Sequence, residues 1–138
     1  MLVGRNGLRD SLVLEGRVVA PAQGMDEALT ITVDDGTISA LAPGAPDGIV
    51  VAPAFVDPHV HLRTPGREDE ETLRSGTEAA AAGGYCAILA MPNTEPVVDS
   101  ASVLGSLGER ASEEAVVPIG FMAAISRGQL GEELTEMV

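Results

Sequence analysis

Apolar and polar residues alternate along Ser11–Pro21 (SLVLEGRVVAP) and again along Glu27–Pro43 (EALTITVDDGTISALAP). Period-two alternation marks a half-buried strand. Asp35-Gly36 interrupts the second stretch as a two-residue hairpin signal. Gly44–Gly48 (GAPDG) reads as a further turn. This part of the chain therefore predicts a small antiparallel β layer.

At Ile49 the pattern changes. Ile49–Leu62 (IVVAPAFVDPHVHL) is a nearly continuous apolar run, which predicts a strand buried on both faces. After a loop (TPGREDE), Glu70–Ala82 is rich in helix formers and stops at Gly83-Gly84, a helix-ending pair. Tyr85–Pro92 (YCAILAMP) predicts a second buried strand, with Cys86 as a buried small hydrophobe. Asp99 is the candidate cap of a helix whose Val103, Leu104, Leu107 and Ala111 share a face. Ala115–Ala124 (AVVPIGFMAA) predicts a third strand. Leu130, Leu134 and Met137 in GQLGEELTEMV have the spacing of another helix.

A β layer followed by β-α-β-α-β-α predicts parallel strands joined by crossover helices. Three such strands cannot close a (β/α)₈ barrel, which needs about 200 residues or more. The expectation is the N-terminal piece of a longer protein. A small three-stranded α/β domain is the alternative, and it would leave an open sheet edge and an uncapped last helix to explain.

Composition narrows the function. The 21 acidic residues against 8 Lys and Arg give a formal charge of −13. Nucleic acid and anionic membrane surfaces are poor partners for such a chain. A small anionic substrate would need locally placed positive charge. A single cysteine excludes an internal disulfide and suits a reducing cytoplasm. The N-terminus lacks a signal-peptide core, and no apolar run reaches the length of a membrane helix.

The chain has two histidines, His59 and His61, and both fall in VDPHVHLRTPG at the carboxyl end of the predicted strand. Residues i and i+2 of a strand point the same way, about 6.5 Å apart at the backbone. Their imidazoles can converge on one metal ion. Barrel-type folds carry their active sites at this end of the strands. H-x-H alone fits a hydrogen-bonded pair of strand histidines equally well. Asp57 has the same parity and is a candidate to orient a histidine from behind. Arg63 continues the face, as an anion-binding cation or as a surface ion pair with an acid such as Glu68 or Asp69. Asn93 falls just past the next strand. Its amide could bind a carboxylate gripped by Arg63, or simply serve turn chemistry between Pro92 and Pro96.

DPHVHLRTPG, GTEAAAAGGY with MPNTEPV, and GEELTEM together resemble dihydroorotase of the bacterial type, in the amidohydrolase superfamily. H-x-H after a strand marks the superfamily. HLR-x-PG with MPNT separates dihydroorotases from allantoinases and dihydropyrimidinases, which lack that Arg and Asn pair. The resemblance implies the N-terminal part of a metal-dependent (β/α)₈ TIM barrel preceded by a small β-sandwich segment. On that basis residues 1–50 are the sandwich segment and 51–138 the first βα units of the barrel.

It further implies reversible closure of N-carbamoyl-L-aspartate to L-dihydroorotate by metal-activated water. His59 and His61 would bind one or two Zn²⁺ ions, and Arg63 and Asn93 the substrate carboxylate. The general base and further ligands are expected after Val138, so this stretch alone is expected to be inactive. A homo-oligomer or an aspartate transcarbamoylase complex stays open. So does a non-catalytic scaffolding subunit, although such a protein is expected to lack the metal histidines. The sequence departs from the family pattern at Ala54 (usually Gly), Glu70 (commonly Lys) and Cys86 (commonly Thr).

Overall fold

A computed structural model describes residues 11–46 and 48–137. They fall into two compact units, one ending at Ala54 and one running on from Phe55.

The first unit is a four-stranded sheet of β1 (Ser11–Ala20), β2 (Met25–Asp34), β3 (Thr37–Pro43) and β4 (Val50–Val51), in the order β3-β2-β1-β4. The β1–β2 and β2–β3 pairs are antiparallel, and β4 runs parallel to β1. Asp35 and Gly36 make the hairpin that their types predict. Both have positive φ, 47° and 73°, the sign required by the turn whose twist matches paired strands. Glycine and aspartate tolerate that region. Val18 and Ile31 are the buried apolar side chains of this sheet. In the Gly44–Gly48 turn the Gly48 amide donates to Pro46 O at 2.9 Å. Asp47 and residues 1–10 lie outside the described residues.

The apolar run Ile49–Leu62 is not one strand. Val50 and Val51 belong to the first sheet, and a new strand, β5, spans Phe55–Val60 in another. Ala52–Ala54 between them join no ladder. Pro53 has no N–H to contribute to one. Nor is β5 buried on both faces. Among the described residues it is an edge strand, and Phe55 and Val56 are about 60% exposed, at 63% and 59%.

In the second unit, β5 pairs in parallel with β6 (Tyr85–Ala90), and β6 with β7 (Ile119–Phe121). Helix α1 (Leu73–Ala82) connects β5 to β6, and α2 (Ala101–Glu114) connects β6 to β7. Three parallel strands with helical crossovers are thus present. Leu62, Leu73, Ile88, Ala90, Ala111, Ala115 and Ile119 form the core between sheet and helices.

Several boundaries differ from the periodicity. Helix α1 starts at Leu73, not Glu70, because Thr72 and Ser75 form a reciprocal capping box there. The cap of α2 is Ser100, whose hydroxyl accepts from Val103 N. Asp99 instead accepts from the Gly128 amide at 2.7 Å. The third strand is only three residues long, since Pro118 cannot donate to a ladder.

Cys86 is exposed, not buried. Phe55 pairs with Tyr85 and Val56 with Ala87, so Cys86 is the extra residue of a bulge. Tyr85 packs against the core in its place. The last predicted helix is absent among the described residues. Arg127–Gln129 is a single 3₁₀ turn, and Ser126 bridges Leu134 in antiparallel fashion. Gly128, Gln129 and Gly131 take positive φ, which ends any helical run. Leu130 and Leu134 are more than 70% exposed (73% and 72%), so the apolar stripe has no surface here to bury against. Val138 lies outside the described residues.

Candidate metal centre at the end of β5

The local sequence Asp57-Pro58-His59 shapes the site. Between Asp57 and Val60, β5 advances three residues while its partner β6 advances two, from Ile88 to Ala90. The strand bulges there, and bulges re-aim side chains. Pro58 has no N–H, and the freed His59 amide donates to Asp57 Oδ1 at 3.0 Å. Asp57 therefore braces the backbone of His59. No imidazole N–H donates to its carboxylate among the described residues.

The two imidazoles converge. His59 Nε2 and His61 Nε2 are 3.1 Å apart, with ring planes at 60° and centroids 5.0 Å apart. On its other side, His61 Nδ1 lies 2.7 Å from Asn93 Oδ1. An amide oxygen only accepts, so Nδ1 carries the proton and Nε2 of a neutral His61 presents a lone pair. Metal-bound histidines are typically held by such a donation from the second nitrogen to an oxygen.

The chain's own donor set can be tested against zinc. Two nitrogens bound tetrahedrally at ~2.0–2.1 Å would stand about 3.3 Å apart. The observed 3.1 Å is close to that, so the pair fits two ligands of one ion, and it is equally the length of a hydrogen bond from a protonated His59 Nε2 to the His61 lone pair. A third side chain is not at hand. Among the described residues no group of three or more His, Cys, Asp or Glu converges as a metal cage.

Asn93 follows β6, whose end is tied to β5 by the Met91 amide donating to Val60 O at 2.8 Å. The parallel sheet thereby brings residue 93 to residue 61. Asn93 uses its oxygen on His61, and its NH₂ makes no hydrogen bond among the described residues. Arg63 is half-exposed and its charged partner is Glu70, at 3.4 Å from Arg63 Nε to Oε2. Neither Glu68 nor Asp69 takes that place. Glu68 accepts from Arg110 Nη1 and from the Gly66 amide, both at 2.9 Å. These bonds, the Arg110 one foremost, hold its carboxyl below the ordinary range. Asp69 pairs with Arg67, which lowers its pKa likewise.

The loops bearing Arg63 and Asn93 are locked together. Glu95 N donates to Pro65 O at 3.1 Å. Gly66, at φ 106°, lies so close that a Cβ there would stand 2.2 Å from Glu95 O. The Glu70–Arg63 pair, the Asn93–His61 contact and the Gly66–Glu95 contact have no local signature in the sequence. The one available signal is parallel neighbourship, which puts Asn93 beside the histidines without naming its contact.

A family model described as dihydro-orotase-like matches residues 48–138. This chain belongs to that family. Among curated proteins it is 43% identical over 132 residues to a dihydroorotase of Solibacter usitatus, covering 89% of this chain and 31% of that protein. It is 42% identical over 136 residues to a dihydroorotase of Geobacter metallireducens, covering 91% and 32%. The chain thus spans about a third of the length of these relatives. Among solved structures it resembles an L-hydantoinase (dihydropyrimidinase) from Arthrobacter aurescens, with a TM-score of 0.66, 23% identity, and 84% and 28% of the two chains covered. A D-hydantoinase matches with a TM-score of 0.62, 25% identity, and 84% and 27% covered.

Proposed function

We propose that the full-length gene product is a dihydroorotase, a cytoplasmic enzyme that interconverts N-carbamoyl-L-aspartate and L-dihydroorotate. In this reading, the opening βα units of a (β/α)₈ barrel start at Phe55 rather than at the expected residue 51, because Val50 and Val51 pair with the first sheet, and the β1–β4 sheet is part of a β-sandwich. The observation that carries the reading is the convergence of His59 Nε2 and His61 Nε2 at the carboxyl end of a parallel strand, with Asn93 holding His61.

His59 and His61 would hold a zinc ion. Such an ion supplies Lewis-acid activation of water for attack on an amide carbonyl. The chain's own groups do the rest of the work visible here. Asp57 fixes the His59 backbone, and Asn93 fixes the protonation pattern of His61. Arg63 offers a planar two-point grip for a carboxylate, and the Asn93 NH₂ offers a donor for the same anion. In a chain of charge −13, such local positive groups are what draws an anionic substrate to the site.

The test uses the full-length gene product stripped of metal. Zinc should restore ring opening of dihydroorotate, and His59→Ala should abolish the restoration. Arg63→Lys should cost about 1.5–3 kcal/mol in kcat/KM, as for a charged hydrogen bond. Equal turnover of dihydrouracil, a ring without the carboxylate, would move the assignment to another cyclic amidase. Metal-independent activity would refute the role of the histidine pair.

A further inference from the structure

The loop after β5 carries its own carboxylate to the Arg63 guanidinium. The Arg67 amide donates to Arg63 O at 2.8 Å, and the Glu70 amide to Arg67 O at 3.0 Å. These turns bring side chains 63, 67 and 70 within reach of one another. Glu70 then divides its two oxygens. Oε1 is hydrogen-bonded to Arg67 Nη2, while Oε2 lies 3.4 Å from Arg63 Nε. The first contact is tight. The second is longer than a normal N–H···O bond and is an ion pair only.

We propose that Glu70 is an internal competitor for Arg63, a carboxylate that occupies the guanidinium until the anionic substrate displaces it. The proposal rests on the reading of Arg63 as the substrate's carboxylate grip. Displacement breaks only the loose contact. Glu70 keeps Arg67, so neither its charge nor its shorter hydrogen bond is lost. The incoming carboxylate replaces a one-point contact at 3.4 Å with a two-point one along the guanidinium edge. Glu70 therefore lowers affinity for the substrate anion without touching the reacting atoms. Both partners are nearly half-exposed, at 46% and 45%, so the effect is modest.

The experiment is steady-state kinetics on the full-length, zinc-loaded protein with dihydroorotate. Glu70→Gln should lower KM about two- to fivefold, the range of an exposed ion pair, and leave kcat unchanged. The gain should shrink at high salt. Two further variants separate this from a general charge effect. Glu78→Gln removes the same charge from the exposed face of α1, where Glu78 pairs with Arg74 at 3.7 Å, and should leave KM as it is. In an Arg63→Met background, Glu70→Gln should have no further effect. If Arg63→Met raises KM while Glu70→Gln changes nothing, Glu70 is not a competitor and the role of Arg63 stands. Competition for Arg63 is equally ruled out if Glu70→Gln lowers KM by the same factor with Arg63 absent. If Arg63→Met leaves KM unchanged, the carboxylate-grip reading itself fails.

Discussion

Gly66→Ala is expected to damage the site and the fold together. Gly66 has φ 106°, where a side chain costs about 1–3 kcal/mol in backbone strain. The added Cβ would stand 2.2 Å from Glu95 O, 2.8 Å from Glu95 Cβ and 3.0 Å from Glu95 C. Carbon atoms normally rest at ~3.5–4.0 Å, so one backbone must retreat by roughly 1 Å. Glu95 cannot do so freely, because its amide is bonded to Pro65 O. Overpacking of this kind costs about 1–3 kcal/mol. The sum is roughly 2–6 kcal/mol, less whatever the loops recover by moving apart. Moving apart has its own consequence. Asn93 is two residues from Glu95, and a shift of about 1 Å would stretch its 2.7 Å contact with His61 beyond hydrogen-bonding range. Misplacement on that scale can cost about 10²-fold in rate. Thermal unfolding and dihydroorotate kinetics of the full-length variant would measure both effects. A melting temperature within about 1 °C of wild type, with kcat/KM unchanged, would refute the claim that this glycine holds the two loops in register.

Two further outcomes are expected. Thr77 is fully buried, and its hydroxyl donates to Leu73 O at 2.7 Å and accepts from Val116 N at 3.1 Å. Thr77→Val should cost about 1–3 kcal/mol by orphaning that amide, and Thr77→Ser should cost less, as denaturant unfolding would show. The Glu68 carboxyl has its pKa lowered from 4.5, chiefly by Arg110 and then by backbone amides. Its folded value lies below its unfolded one, so its stabilisation is present above pH 4.5 and is lost as pH falls through the folded value. Wild type should therefore exceed Glu68→Gln in stability at neutral pH, and the gap should close under acid. A gap independent of pH would mean that Glu68 is not held as the anion.

Much of the fold was legible locally. Asp35-Gly36 specifies its hairpin because few residue pairs accept positive φ twice. Gly83-Gly84 ends α1, and the alternation of apolar runs with helix formers specifies parallel strands with crossovers. The H-x-H spacing was visible along the chain, but His61 lies just past β5 and a bulge between Asp57 and Val60 sets how the two rings meet. Other features depended on contacts that no local rule contains. Val50 and Phe55 sit in one apolar run, yet they join different sheets because Pro53 interrupts the ladder. Cys86 has the composition of a core residue and is turned outward by a bulge that exists only in register with β5. The stripe of Leu130 and Leu134 has helical spacing, but an amphipathic helix needs a surface to cover, and the left-handed glycines around it favour a turn. At the site, Asn93 reaches His61 across 32 positions because parallel pairing aligns the two strand ends. Glu70 reaches Arg63 because a loop folds back on itself. Short-range sterics and hydrogen-bonding capacity can be read along the chain. Which carboxylate meets which guanidinium, and which oxygen holds which ring, depends on distances that exist only after the strands have paired.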